Sequence, residues 1–312
     1  MIPSRFDYVA PASLDDAIAL LGAHDGEAKI LSGGQSLIPM LKLRLASPSL
    51  VVDINRIPGL AYVEERSGAL HIGALAREAD LEASPVVARS YTILLDTVAV
   101  IADPLVRNSA TICGNIAHGD PANDHPATML ALDASFVVRG RRGERTIRAR
   151  EFFLGLFTTA LAPDEIVTSI IVPKPAAGSG GAYLKLERKV GDFATAGVAV
   201  QVTVDEHGGC SRAGIGLTNV GEVPLVAARA ESFLRGKPLD IATIREAAAI
   251  AATEADPVAD YRGSTAYKRD LVRVLATRAL RLAALRAGGA SAPTPLPFTY
   301  SAPAPGRDAG RS

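Results

Sequence analysis

An α+β chain of roughly two domains is predicted by three features of the sequence. Strand and helix patterns alternate through the first half. Three strand patterns in a row are followed by three helix patterns in the second half, and the stretch PKPAAGSGG, Pro173 to Gly181, marks a shift in composition between them. With 312 residues, 48% hydrophobic and 21% charged, the chain can bury a sizeable core.

Taken in order, SLDDAIALLGAH reads as a helix capped by Ser13, with Leu14, Ala17, Ile18 and Leu21 on one face. AKIL is a short buried strand that runs into SGGQS, LIPMLKLRLA is a helix with Pro39 in its first turn, and LVVDI is the next strand. Two strands flank a turn at Arg66-Ser67-Gly68; READLEAS and YTILLDTVAVIA are helices, the second ending before Asp103-Pro104. A loop-rich region follows, from Asp103 until PATMLALDA starts a helix. FVVRGRRGERTIRA is a hairpin about Arg142-Gly143, and EIVTSIIVP is an alternating strand. Beyond Gly181 come the strands AYLKLERK, TAGVAVQVTVD and CSRAGIGLTNV. The helices VAARAESFLRG, IATIREAAAIAATEA and AYKRDLVRVLATRALRLAALR complete the pattern. GSGGAY precedes a strand and does not complete a dinucleotide fingerprint. The domains expected are 1–175, with lobes of about 1–56 and 57–175, then 176–287, then a mobile tail over 288–312 rich in alanine and proline.

The 33 basic residues balance the 33 acidic ones, which gives no electrostatic footprint for nucleic acid or an anionic membrane. No apolar run has the length of a membrane span or the character of a signal peptide, so cytoplasm is the expected location. Cys113 and Cys210 are too few for a four-cysteine metal or iron–sulfur site within the chain.

Two short segments carry the chemistry. In SGGQS, Gly33 and Gly34 lack Cβ atoms, so successive N–H groups can line a concavity suited to phosphate; an ordinary tight turn has the same composition. TICGN, Thr111 to Asn115, repeats the combination of hydroxyl, glycine and amide. Two such segments suit a diphosphate, which needs donors from more than one side.

These segments, with VRNSATICGNIAHGDPANDHPA and LERKVGDFATAGVAV, resemble the FAD-binding medium subunit of the molybdenum hydroxylase family, in order and spacing up to about Ala284. The resemblance implies a two-lobed FAD-binding domain of the vanillyl-alcohol oxidase type and a smaller domain with a three-stranded antiparallel sheet and helices. It further implies that Leu31, Ser32, Gly33, Gly34, Gln35, Ser36 and Leu37 form one FAD segment, and Thr111, Cys113, Gly114 and Asn115 the other. By the same resemblance Asp124 accepts hydrogen bonds on the flavin side, Ile101 and Val167 are apolar contacts, Lys185 is a basic neighbour of the flavin, and Phe193 stands near the isoalloxazine where relatives often have tyrosine. Three positions depart from the family pattern: Cys113 replaces a glycine, Ala110 replaces another, and Gln35 stands where carbon monoxide dehydrogenases have histidine.

The resemblance places molybdopterin in a large partner subunit and two [2Fe-2S] clusters in a small one, in a dimer of heterotrimers, with FAD the only cofactor of this chain. No residue here is expected to be catalytic toward the organic substrate and none to bind a metal. Substrate and electron acceptor stay open. Competing readings are a self-contained FAD dehydrogenase or oxidase and a non-catalytic FAD-binding assembly protein. For individual residues, His118, Asp120, Asp124 and His125 are weighed as a metal cluster against a cofactor wall. Cys113 is weighed as a reactive thiol against a packing residue, Phe193 as a flavin contact against core, and Arg269, Arg273, Arg278 and Arg281 as a docking face against a solvated one.

Overall fold

The computed structural model describes residues 2–290, built from fourteen strands and eleven α-helices around three principal sheets. In the first, β1 (Asp7–Val9) and β2 (Ala28–Leu31) lie parallel to the central β3 (Leu50–Asp53). Helices α1 (Leu14–Ala23) and α2 (Leu37–Leu43) make the crossovers. Ser13 caps α1 by accepting from the Asp16 N–H at 3.1 Å, and Ala17, Ile18 and Leu21 bury against Val52 and Ile54.

The second sheet is antiparallel, ordered β4-β5-β10-β6-β7, from β4 (Val63–Arg66), β5 (Ala69–Gly73), β6 (Ser135–Gly140), β7 (Gly143–Arg148) and β10 (Ile166–Pro173). The small pair β8 (Phe153–Gly155) and β9 (Thr158–Thr159) stands beside it. Between β5 and β6 run α3 (Glu78–Ala83), α4 (Pro85–Ser90), α5 (Thr92–Ala99), α6 (Pro104–Arg107), α7 (Ile112–His118) and α8 (Asp124–Leu132).

The third sheet is antiparallel too, ordered β11 (Ser179–Glu187), β12 (Ala194–Val204), β13 (Cys210–Thr218) and β14 (Leu225–Val226). Alternation explains its long apolar runs. Ala182, Leu184, Val198, Val200, Ile215 and Leu217 face a core shared with α9 (Ala228–Leu234), α10 (Ile241–Glu254) and α11 (Thr265–Ala287). On the opposite face, Tyr183 and Ala199 join the core of the second sheet. Gly214 and Gly216 lie directly under the carbonyls of Ala131 and Ala127, so α8, whose nine residues are all buried, packs backbone to backbone on β13.

Several expectations are corrected. The third sheet carries a fourth strand, β14, beyond the three expected. The β6–β7 turn falls on Arg141-Arg142, because Gly140 pairs with Gly143. TICGN is not a loop but the start of α7, since Thr111 takes the N-cap and accepts from the Gly114 N–H at 3.3 Å. The short elements β1, α4, α6, β8 and β9 have no counterpart in the sequence reading. Of the tail expected from 288 onward, residues 291–312 lie outside the described residues. On α11, Arg269 donates to Ala255 O at 3.1 Å and Arg273 to Asp270 at 2.7 Å. Both are thereby tied within the chain. No helix of the described residues is long and apolar enough to cross a membrane.

Candidate functional site: a cavity between the sheets

A cavity of about 740 Å³ opens where the first sheet, the second sheet and the β11–β12 connection meet. That size falls within the roughly 300–1,000 Å³ of small-molecule sites. One wall is the segment after β2. Gly33 touches the second segment so closely that a Cβ there would lie 2.5 Å from Ser109 O and 2.8 Å from Thr111 N. Gly34 takes φ +72, which glycine adopts at no steric cost. Ser32 Oγ lies 3.0 Å from Thr111 Oγ1, joining the two segments side by side. Among the described residues no hydrogen bond uses the N–H groups of Gly33, Gly34, Gln35 or Ser36. They are left to donate into the cavity, which is the chemistry a phosphate requires.

At the other end the polar groups are committed to one another. Asp124, at the first turn of α8, accepts from the Tyr183 hydroxyl at 2.5 Å and from Lys185 Nζ at 3.0 Å. Lys185 also donates to Val100 O at 2.7 Å and Asp192 O at 3.1 Å, and Glu187 Oε2 stands 3.2 Å away. This last contact is an ion pair by distance and is not aligned as a hydrogen bond. Burial, and then the charge of Asp124, raise the Tyr183 phenol well above its ordinary range, so it remains a neutral donor.

The cavity brings together every residue expected of the cofactor site except Leu31 and Cys113. Leu31 ends β2, and its Cδ1 lies under Gly34. Cys113 turns inward from α7, 2% exposed, with its sulfur 3.6 Å from Gly73 O and 3.7 Å from Ile72 O. Burial, with the neighbouring Glu78 charge adding to it, pushes this thiol far above the usual range. It is therefore a packing residue and not a reactive one. A side chain at position 113 crowds no phosphate, because it leaves the helix on the core side.

Among the described residues, the acidic and imidazole groups weighed as a metal cluster do not come together as a set of three or more that could hold a metal ion. His125 Nε2 meets Glu78 Oε2 at 2.7 Å, both fully buried, while His118 lies beside Phe157 with ring centroids 5.0 Å apart. Asp120 accepts from the Ala122 N–H at 2.8 Å. Burial lowers the His118 pKa, and Asp120 partly opposes that. Phe193 is 49% exposed at the rim and is not core.

The sequence reading weighed His118 as part of a cofactor wall, and it passed over Lys29, Met40, Asn123, Phe157 and the Ala162-Pro163 stretch, all of which line the cavity with it. Only Asn123 had a local signal. Its place just before α8 is a capping position, and its Nδ2 instead donates to Asn115 O at 3.1 Å, bracing the second segment.

Comparison with known proteins agrees with this geometry. The profile of the FAD binding domain in molybdopterin dehydrogenase matches residues 4–175, and that of the CO dehydrogenase flavoprotein C-terminal domain matches residues 181–283. The chain is 45% identical to the carbon monoxide dehydrogenase medium chain of Hydrogenophaga pseudoflava, over 91% of this chain and 98% of that one. It is 39% identical to the 6-hydroxypseudooxynicotine dehydrogenase complex subunit alpha of Paenarthrobacter nicotinovorans, over 92% and 97%. The crystal structure of the cyanide-inactivated Cu,Mo-CO dehydrogenase contains a chain that superposes with a TM-score of 0.89 at 42% identity, covering 92% of this chain and 100% of that one. With a matching profile over more than half its length and a cavity furnished with free N–H donors, this chain belongs to the FAD-binding flavoprotein subunits of the molybdenum hydroxylases, the family that includes the medium chain of carbon monoxide dehydrogenase.

Proposed function

We propose that this chain is the electron-transfer subunit of a molybdenum hydroxylase, receiving electrons from [2Fe-2S] clusters of a small partner subunit and delivering them to an external acceptor. A large partner subunit carries molybdopterin and the organic or gaseous substrate. The three assemble as a dimer of heterotrimers in the cytoplasm. FAD, when bound, supplies the junction between one-electron and two-electron chemistry. The residues of this chain bind and orient it. Ser32 to Ser36, with Thr111, Gly114 and Asn115, hold the diphosphate; Leu37 closes the first segment. Ile101, Val167, Asp124, Lys185 and Phe193 surround the flavin end. The domain division falls within Pro173 to Gly181.

One observation carries this reading over a self-contained dehydrogenase. At the flavin end Asp124, Lys185 and Glu187 are bonded to one another and to backbone, and His118 rests against Phe157. None is placed as a proton acceptor over a substrate. Relatives named for unlike substrates share the same chain architecture, so similarity here does not choose the substrate.

The experiment is to record the visible spectrum of the chain alone and of its complex while adding candidate substrates. Flavin bleaching that requires the partner subunits supports the proposal. Bleaching in the isolated chain establishes the self-contained dehydrogenase instead, and a complex whose flavin never responds to a substrate that reduces its clusters establishes the assembly-protein reading.

A further inference from the structure

Lys185 is the only ammonium buried at the flavin end of the cavity among the described residues, at 4% exposure. An ammonium has three N–H donors and no acceptor. Here Val100 O, Asp124 Oδ2 and Asp192 O take all three, and Glu187 adds an ionic contact at 3.2 Å. No donor remains for a ligand. The two carbonyls it holds precede cavity-lining residues on separate elements: Val100 leads into Ile101 and Ala102 after α5, and Asp192 leads into Phe193 before β12. A second contact closes the same seam. Gly191, at φ +82, packs on Ala102, and a Cβ there would lie 3.0 Å from Ala102 O. Ala102 itself takes φ +45, a conformation unfavourable for a residue with a Cβ and held by its surroundings.

We infer that Lys185 is a positioning residue: it binds no part of the cofactor and fixes the walls at Ile101-Ala102 and Asp192-Phe193 in the register that receives the flavin ring. This rests on the proposed assignment of the cavity to FAD. It gives Lys185 a different task from that of a basic neighbour of the flavin. The C-terminal domain thereby completes a site whose phosphate-binding segments both lie outside that domain.

The test is titration of the full chain, stripped of FAD in the assembly from which it is purified, with FAD and separately with ADP. ADP carries the diphosphate and adenosine but no flavin. Lys185→Met is expected to weaken FAD by roughly tenfold or more and to leave ADP within about twofold. Gly191→Ala keeps every side chain of the buried ion network and acts on the seam through the backbone, and is expected to give the same selective loss. Equal weakening of both ligands in both variants overturns the inference in favour of a general structural role, and unchanged FAD affinity in Gly191→Ala overturns it as well. Wild-type protein that binds neither ligand overturns the FAD assignment itself, and with it this role.

Discussion

Ser32 Oγ and Thr111 Oγ1 stand 3.0 Å apart, so the two glycine-containing segments that line the cavity are bonded to each other through their own side chains. Gly33 makes that approach possible. Gly33→Ala would set a methyl group 2.5 Å from Ser109 O and 2.8 Å from Ala110 Cα, with backbone on every side and no flexible side chain to yield. The expected result is a loss of about 1–3 kcal/mol in stability from overpacking and roughly tenfold weaker FAD binding. Denaturant midpoints and the ratio of flavin to protein after gel filtration check both.

Cys113 stands where the resemblance leads one to expect glycine, and its side chain stays out of the cavity. Cys113→Gly restores the usual family sequence yet removes a buried side chain from α7 and adds a helix-interior glycine. It is expected to lower stability by about 1–2 kcal/mol and to leave FAD affinity unchanged. A rise in FAD affinity would show that the thiol crowds the phosphate after all. Thiol-specific reagents are expected to modify Cys113 only when denaturant is present.

Alkaline stability depends on Tyr183. Its folded-state pKa is raised above the ordinary value of 10.0 by burial and by Asp124. The contribution is therefore whole below pH 10 and is lost as pH rises toward the folded value, because the unfolded chain releases a proton that the folded chain keeps. Above pH 10 the group is expected to remove about 1.4 kcal/mol per pH unit. Tyr91, pushed up to about 12 by burial, adds to the slope in the same window. Tyr183→Phe is expected to cost about 1–2 kcal/mol at neutral pH and to flatten part of that slope, measured by urea unfolding between pH 8 and 11.

The β4–β5 turn offers a gain. Arg66 pairs with Ala69, and both turn residues have positive φ, 52 at Ser67 and 76 at Gly68. Such a turn favours Asn-Gly. Ser67→Asn is expected to stabilise the protein by about 0.5–1 kcal/mol without changing FAD binding, because the hairpin tip is exposed and apart from the cavity. A lower melting temperature would contradict this account of the turn.

Much of this architecture is legible where one local rule decides the outcome. Ser13 announces α1, alternation announces β10, and the apolar runs of β11, β12 and β13 announce strands covered on both faces. The second segment was misjudged because α7 reads ICGNIAH, in which a glycine, an asparagine and a histidine dilute the helical pattern in only two turns. Strands such as β9, two residues long, are fixed by partners and not by their own composition. For the site, Leu31 and Cys113 are expected from the family resemblance, which carries residues over position by position. Leu31 and Cys113 show that position along the chain does not say which way a side chain leaves it. The partners of Lys185 were beyond reach for another reason: Val100 and Asp124 lie 85 and 61 residues away, and only the packed fold brings them to one nitrogen.

Tyr183 and Ala199 from the third sheet sit in the core of the second, while Ala74, Leu75 and Ile166 from around the second sheet sit in the core of the first. The first two hydrophobic clusters thus borrow side chains from their neighbours, and α8 presses its backbone on β13. Melting one layer strips apolar cover from the next. In a calorimeter the chain is accordingly expected to absorb heat in one cooperative peak, and limited proteolysis to yield no long-lived fragment that retains the flavin by itself.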